Sequence, residues 1–165
     1  MFDCIKKKYC ERDWRMQAVK VVWACIMCAA TFPVPVRADY IDVAALRYHI
    51  NPDLLRSIGY YESRLNPDAI HRNSNGSVDI GLMQINSIHL HALRARGIDR
   101  SRLVNASVNA DVGASLLREK IDRYGNTWAA VGEYHSHTRK FGSEYARAIH
   151  EIYVRRPWCV RQPNM

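Results

Sequence analysis

The sequence predicts an all-α, mainly helical domain of about six helices over residues 39–157, behind a leader at 1–38 and ahead of a short tail at 158–165. Three observations carry that expectation. Apolar residues recur at three- and four-residue spacing in most segments of the chain. Asn, Asp or Thr stands in front of several of those segments and Gly or Pro behind, the residue types that cap and stop helices. The connections are short, and 165 residues give room for one domain with a proper core and little more.

Residues 1–38 read as an export signal rather than as part of the fold. An apolar run extends from Val19 to Ala30, and Pro33 and Pro35 close it. Val36-Arg37-Ala38 supplies small residues where a signal peptidase reads, so cleavage is expected before Asp39 and the product is expected in the periplasm. Residues 1–15 are long for the polar start of such a signal; translation from Met16 would leave a compact one with Lys20 as its basic residue. The run is too short and too proline-flanked for a membrane span, so no stable anchor is expected after cleavage. Cys4, Cys10, Cys25 and Cys28 all lie in this segment, and their spacing is better explained by a leader than by a metal site. The mature chain keeps only Cys159, so no internal disulfide is available and the core alone must hold the fold.

Asp39 can cap a first helix through about His49, with Ile41, Ala44, Ala45 and Tyr48 on one side. Asn51-Pro52-Asp53 is a helix start: cap, proline at the first helical position, acid in the first turn. In the helix that follows, Leu54, Ile58 and Glu62 share one face. Leu65 to Ile80 has loop composition, with Asn66-Pro67 and Asn73-Ser74-Asn75-Gly76-Ser77 as turn signals. Gly81 to Ile85 is apolar but too brief to assign to helix or strand. Further helices are expected at about Asn86–Arg96, Asn109–Tyr124, Trp128–Ser136 and Ser143–Arg155, with Gly97, Gly125 and Pro157 as stops and Thr127 as a cap.

Composition narrows the function only a little. The chain is 48% hydrophobic and 24% charged, without repeats or low-complexity tracts, which is ordinary for a globular protein. Its net charge is +8, but residues 1–38 hold seven of the 24 basic and three of the 16 acidic residues, which leaves the rest at +4. That mild excess suits an anionic polymer, and the arginines at 94, 96, 100 and 102 are explained as solvated charge; a nucleic-acid partner is not expected. His89 and His91, and likewise His135 and His137, stand two residues apart and so point to different helix faces, with no Cys or Glu cluster beside them; neither metal nor cofactor is expected.

Glu62 carries the chemistry. It sits on an apolar stripe, late in a helix where the dipole's negative end disfavours a second negative charge, and beside Tyr60 and Tyr61. Both effects raise a carboxyl pKa, and a carboxyl kept protonated near neutral pH can donate to a leaving oxygen, as in glycoside cleavage. Such reactions commonly need two carboxylates. Asp68 and Asp79 are the nearby candidates, and turn chemistry accounts for both; no second acid is compelling.

Three motifs, Tyr61-Glu62-Ser63, Gly81-Leu82-Met83-Gln84-Ile85-Asn86 and Ala129-Ala130-Val131-Gly132-Glu133-Tyr134-His135-Ser136, occur in one order over residues 39–155. In that order and spacing they resemble the lysozyme-like soluble lytic transglycosylase domain, in particular the small single-domain enzymes attached to conjugative type IV and type III secretion systems. The resemblance implies a helical domain around a glycan cleft, and cleavage of the β-1,4 bond between N-acetylmuramic acid and N-acetylglucosamine in peptidoglycan. It implies Glu62 as the catalytic acid and base, with Ser63, Met83, Gln84, Tyr134 and His135 around the substrate and the Tyr134 hydroxyl orienting the carboxyl. The sugar's own acetamido group and 6-hydroxyl would replace water, closing a 1,6-anhydro ring, so the missing second acid is expected. Components of a secretion apparatus are the implied partners.

The bland readings differ in weight. Ser63 can simply end its helix and Met83 can be plain core, whereas an amide such as Gln84 in an apolar run needs hydrogen-bond partners. The third motif departs from the usual Ala-Tyr-Asn-Ala-Gly: His135 stands at the Asn and the final Gly is absent. That departure is the one support for an alternative, a wall-binding assembly factor with the same fold and little activity.

Overall fold

The computed structural model describes residues 39–159, so the leader and the last six residues lie outside the described part. Seven α-helices surround one small sheet: α1 Tyr40–Arg47, α2 Pro52–Ser63, α3 Leu90–Arg94, α4 Arg100–Leu103, α5 Ala106–Tyr124, α6 Trp128–His135 and α7 Arg139–Arg155. The all-α expectation holds. Among the described residues no helix is long and apolar enough to cross a membrane.

The caps read from sequence form as expected at three helices. Asp39 accepts from the amides of Ile41 and Asp42, Asn51 from those of Asp53 and Leu54, and Thr127 from that of Ala130. Each satisfies donors that the first turn leaves orphaned, worth about 1 kcal/mol per cap. Arg56 then ties α1 to the start of α2. Its guanidinium pairs with Asp42 at 2.6 Å, Asp39 at 3.0 Å and Asp53 at 3.4 Å, and lies over the ring of Trp158. Trp158 belongs to a 3₁₀ turn, Pro157–Cys159, and packs on Tyr60.

The Leu65–Ile80 segment expected as a loop and the unassigned run after it contribute an antiparallel sheet of β1 Ile70–Arg72, β2 Val78–Ile80 and β3 Ile85–Asn86, in that order. Strands of two or three residues are too short to show alternation in sequence. Register pairs Asp79 with His71 on one side and Asn86 on the other. The Asn73–Ser77 turn closes β1 onto β2, with Gly76 in the left-handed region at φ 83°. After Asn86 the chain buries Leu93 and half-buries Leu90, while Ile88 is exposed.

Three helix starts differ from the sequence reading, and α4 has no counterpart in it. The stretch expected as one helix from Asn86 to Arg96 ends β3 at Asn86, makes a 3₁₀ turn over Ser87–His89 and becomes α-helical only over Leu90–Arg94. α5 begins at Ala106, capped by Asn105, so Asn109 lies one turn inside it and is fully buried. α7 begins at Arg139 rather than Ser143 and carries Gly142 in its first turn. A glycine there reads as a helix breaker, but α6 and α7 cross at Gly132 and Gly142: a Cβ on Gly132 would stand 2.6 Å from the Gly142 carbonyl oxygen. Gly132→Ala therefore forces the helices apart and is expected to cost about 1–3 kcal/mol, read as a lower Tm in a thermal melt.

The core is one cluster running through Leu55 and Ile58 of α2, Ile80 to Ile85 of the sheet, Val112 and Leu117 of α5, and Tyr145 and Ile149 of α7. It packs beneath the end of α2, and that placement delivers Glu62 to the boundary between core and solvent.

Candidate active site

α2 ends abruptly. Arg64 and Leu65 both take left-handed backbone (φ 58° and 64°), and their amides bond back to the carbonyls of Tyr60 and Gly59. The helix thus ends one residue past Glu62, with Ser63 as its last residue. Ser63 is a tie rather than a wall of the cleft. Its hydroxyl lies 2.8 Å from the Leu82 carbonyl oxygen and 3.2 Å from that of Gly59, and it accepts from the Asn66 amide at 3.0 Å. It pins the end of α2 to the Gly81–Gln84 loop.

That loop is held from below by Asn109. The side chain accepts from the Met83 amide at 2.8 Å and donates to the carbonyl oxygens of Ile80 at 2.8 Å and Leu103 at 3.0 Å. Gly81 takes φ 75°, and the Asn109 amide fills the space a Cβ would need, 2.5 Å away. Met83 is buried, its side chain fitted against Gly113 of α5. Gln84, also left-handed at φ 45°, donates its side-chain amide to Gly81 at 2.8 Å and Ala69 at 3.2 Å, the partners a half-buried amide needs.

Above this floor opens a polar cleft of about 670 Å³. Glu62, Met83, Gln84, Tyr134 and His135 all line it, so five of the six residues singled out in the sequence meet at one place and Ser63 stands behind them. Side chains from the sheet and its first turn add to the lining, among them His71, Asn73, Asn75, Asp79 and Asn86. Such a wall, rich in amides and carboxylates, is suited to a ligand dense in hydroxyl and amide groups.

Burial pushes the Glu62 carboxyl up to about 7, a hydrogen bond from Tyr145 pulls it the other way, and the charge of Asp79 adds to the rise. The Tyr145 hydroxyl donates to Glu62 Oε1 at 2.6 Å. The orienting contact is therefore made by Tyr145 and not by Tyr134, whose hydroxyl donates to the Met83 carbonyl oxygen at 3.5 Å. Tyr134 packs half-buried beside Glu62, and its phenol is raised well above the ordinary value, first through desolvation and then through the carboxylate's charge. In the sequence Tyr145 is one apolar position of a helix face; nothing local marks its hydroxyl. The Tyr145 ring itself is gripped by Tyr61 edge-on at 5.1 Å and by His135 face-on at 4.5 Å, with ring planes 2° apart.

Tyr145→Phe keeps the ring and removes the donor. Loss of a contact that favours the carboxylate raises the Glu62 pKa further, so the alkaline limb of the activity profile is expected to move to higher pH while kcat falls roughly 10- to 100-fold through lost orientation. A pH–rate series on the purified variant reads both.

Asp79 differs from its sequence reading. It is no mere turn residue: it lines the same cleft as Glu62, half-buried, and accepts from Asn86 at 2.6 Å and Asn73 at 2.9 Å. The cleft thus holds two acids in contrasting surroundings, Glu62 against the core and Asp79 between two asparagine amides. Sequence reasoning passed over Asp79 because β2 and β3, whose pairing sets Asn86 beside it, carry too little pattern to be seen.

Comparison with known proteins points the same way. The chain is similar to protein IpgF of Shigella flexneri, 39% identical over 124 residues that span 72% of this chain and 82% of that protein. It is similar to invasion protein IagB of Salmonella typhimurium, 40% identical over 121 residues, 70% of this chain and 76% of that one. A peptidoglycan-binding-like protein of Escherichia coli O157:H7 is 34% identical over 124 residues, 68% of this chain and 74% of the relative. Residues 39–151, which contain every cleft residue named above, match the transglycosylase SLT domain, and the chain belongs to that family.

Proposed function

We propose that the chain is a peptidoglycan lytic transglycosylase that cleaves the β-1,4 bond between N-acetylmuramic acid and N-acetylglucosamine and leaves a 1,6-anhydro-muramyl end. The observation that carries this reading is Glu62: a half-buried carboxyl with a pKa raised to about 7, facing a polar cleft in a chain of this family. In its protonated form Glu62 gives its proton to the glycosidic oxygen as the bond to the anomeric carbon breaks. The sugar's 2-acetamido group stabilises the developing cation. The Glu62 carboxylate, held by the Tyr145 hydroxyl, then takes the proton of the muramyl 6-hydroxyl as that oxygen bonds to the anomeric carbon. Glu62 ends the cycle protonated, as it began.

Asp79 favours a second reading, hydrolysis of the same bond. A charged carboxylate across the cleft can stabilise the glycosyl cation or bond to it until water arrives, a role for which the two asparagine donors prepare it. Mass spectrometry of products from purified sacculi separates the two. Anhydro-muropeptides, retained in Asp79→Asn, support the transglycosylase; reducing ends that disappear in Asp79→Asn support the hydrolase. Binding to sacculi without release of either product would make the chain a wall-binding assembly factor.

The setting we infer is the periplasm, after removal of residues 1–38, where local gaps in the wall would let an envelope-spanning secretion or conjugation apparatus assemble. What supports it is the leader composition and the similarity to a protein named for invasion.

A further inference from the structure

We propose that His135, as a neutral imidazole stacked on Tyr145, is the positioning residue that keeps the Tyr145 hydroxyl on Glu62, and that its protonation closes the acid side of the activity profile. This rests on the glycan-cleaving reading of the cleft. The geometry is specific. Tyr145 is the one described hydrogen-bond donor to Glu62, at 2.6 Å, and a phenol hydroxyl is aimed only as well as its ring is held. The ring is held on two sides, by the edge contact with Tyr61 at 5.1 Å and by His135, whose plane lies 2° from its own at 4.5 Å. Tyr61 and Glu62 share one helix, so that contact moves with the carboxyl. His135 is supplied by α6 and fixes the ring relative to the cleft.

An Asn, common at this place in the third motif, presents no aromatic face and no titration near neutrality. His135 presents both. Its position is partly solvent-open and on the cleft wall, where a proton reaches it and where its charge would be felt. The charged and titratable groups around it are Tyr145 on α7, Glu62 on α2, Asp79 on β2, His71 on β1, and Tyr134 with the Glu133–His137 ion pair on its own helix. Desolvation holds the imidazole below its ordinary value, against the opposing pull of Asp79. With Glu62 raised to about 7, there is a window in which Glu62 is protonated and His135 is neutral. Below that window an imidazolium faces the point where positive charge develops on the sugar, and like charges repel. It also favours the Glu62 carboxylate over the acid that must donate. Both effects slow the reaction.

The test compares wild type, His135→Phe and His135→Asn for kcat and KM on soluble glycan strands across the acid and neutral range. Alongside it, the Glu62 carboxyl is titrated by ¹³C NMR without substrate. Phe keeps a flat ring and cannot titrate; Asn lacks the ring. Both variants are expected to lose the acid limb. The Asn variant is expected to lose about tenfold in kcat through misplacement of Tyr145, with the Phe variant between it and wild type. The Glu62 midpoint is expected to be higher in the Asn variant than in wild type, as the Tyr145 bond weakens. An acid limb unmoved in both variants overturns the proposal. So does a Glu62 midpoint that is the same in all three proteins. Absence of cleavage by wild type at every pH would instead overturn the reading of the cleft, while the NMR titration would still decide the role of His135.

Discussion

Glu62→Gln is expected to reduce glycan cleavage by about 10³-fold or more while making the protein more stable at alkaline pH. The first effect follows because an amide cannot donate and recover a proton. The second follows from linkage. The folded carboxyl keeps its proton up to about 7, whereas an unperturbed one releases it near 4.5. As pH rises between those values the unfolded chain loses a proton that the folded chain holds, so stability declines across that window and stays reduced above it. The displacement corresponds to about 3 kcal/mol. Glutamine, neutral at every pH, does not incur it. The variant should match wild type in urea titrations at low pH and exceed it above neutrality. Equal stability at both ends would mean that Glu62 is not held protonated by the fold, and the proton-donor role would fall with it.

The second large effect is expected at Asn109, far from the substrate in chemistry though next to the floor of the cleft. Asn109→Ala leaves the Met83 amide and the Ile80 and Leu103 carbonyls without their buried partner. An orphaned buried polar group costs about 1–3 kcal/mol, and the vacated space adds to it, so a loss of about 3–5 kcal/mol is expected. Urea unfolding measures it. Because Met83 and Gln84 ride on the same loop, the surviving folded protein should also show a raised KM. Normal stability in this variant would mean that the loop finds other partners and that Asn109 is not its support.

Neither effect was equally visible in the sequence. Glu62 announces itself, since a carboxylate on the apolar stripe of a helix conflicts with simple burial. Asn109 gives the wrong signal: at the head of an apolar-periodic stretch an Asn reads as a cap, and only the fold shows Asn105 doing that work one turn earlier. α7 likewise starts four residues before Ser143 and runs through Gly142, which lies against Gly132 of α6.

The sequence by itself determined the helical class, the caps at Asp39, Asn51 and Thr127, and the acid at the end of α2, because capping, periodicity and a misplaced charge are local properties of the chain. It also brought together, through resemblance, Glu62, Met83, Gln84, Tyr134 and His135 of the cleft lining. The tertiary structure alone decided what surrounds that acid. Tyr145 reaches Glu62 from 83 residues away, His135 stacks on Tyr145 from another helix, and Asp79 enters the cleft on a strand three residues long. Those contacts depend on how α6 and α7 cross and how β2 pairs with β3, and no spacing within a single segment encodes either.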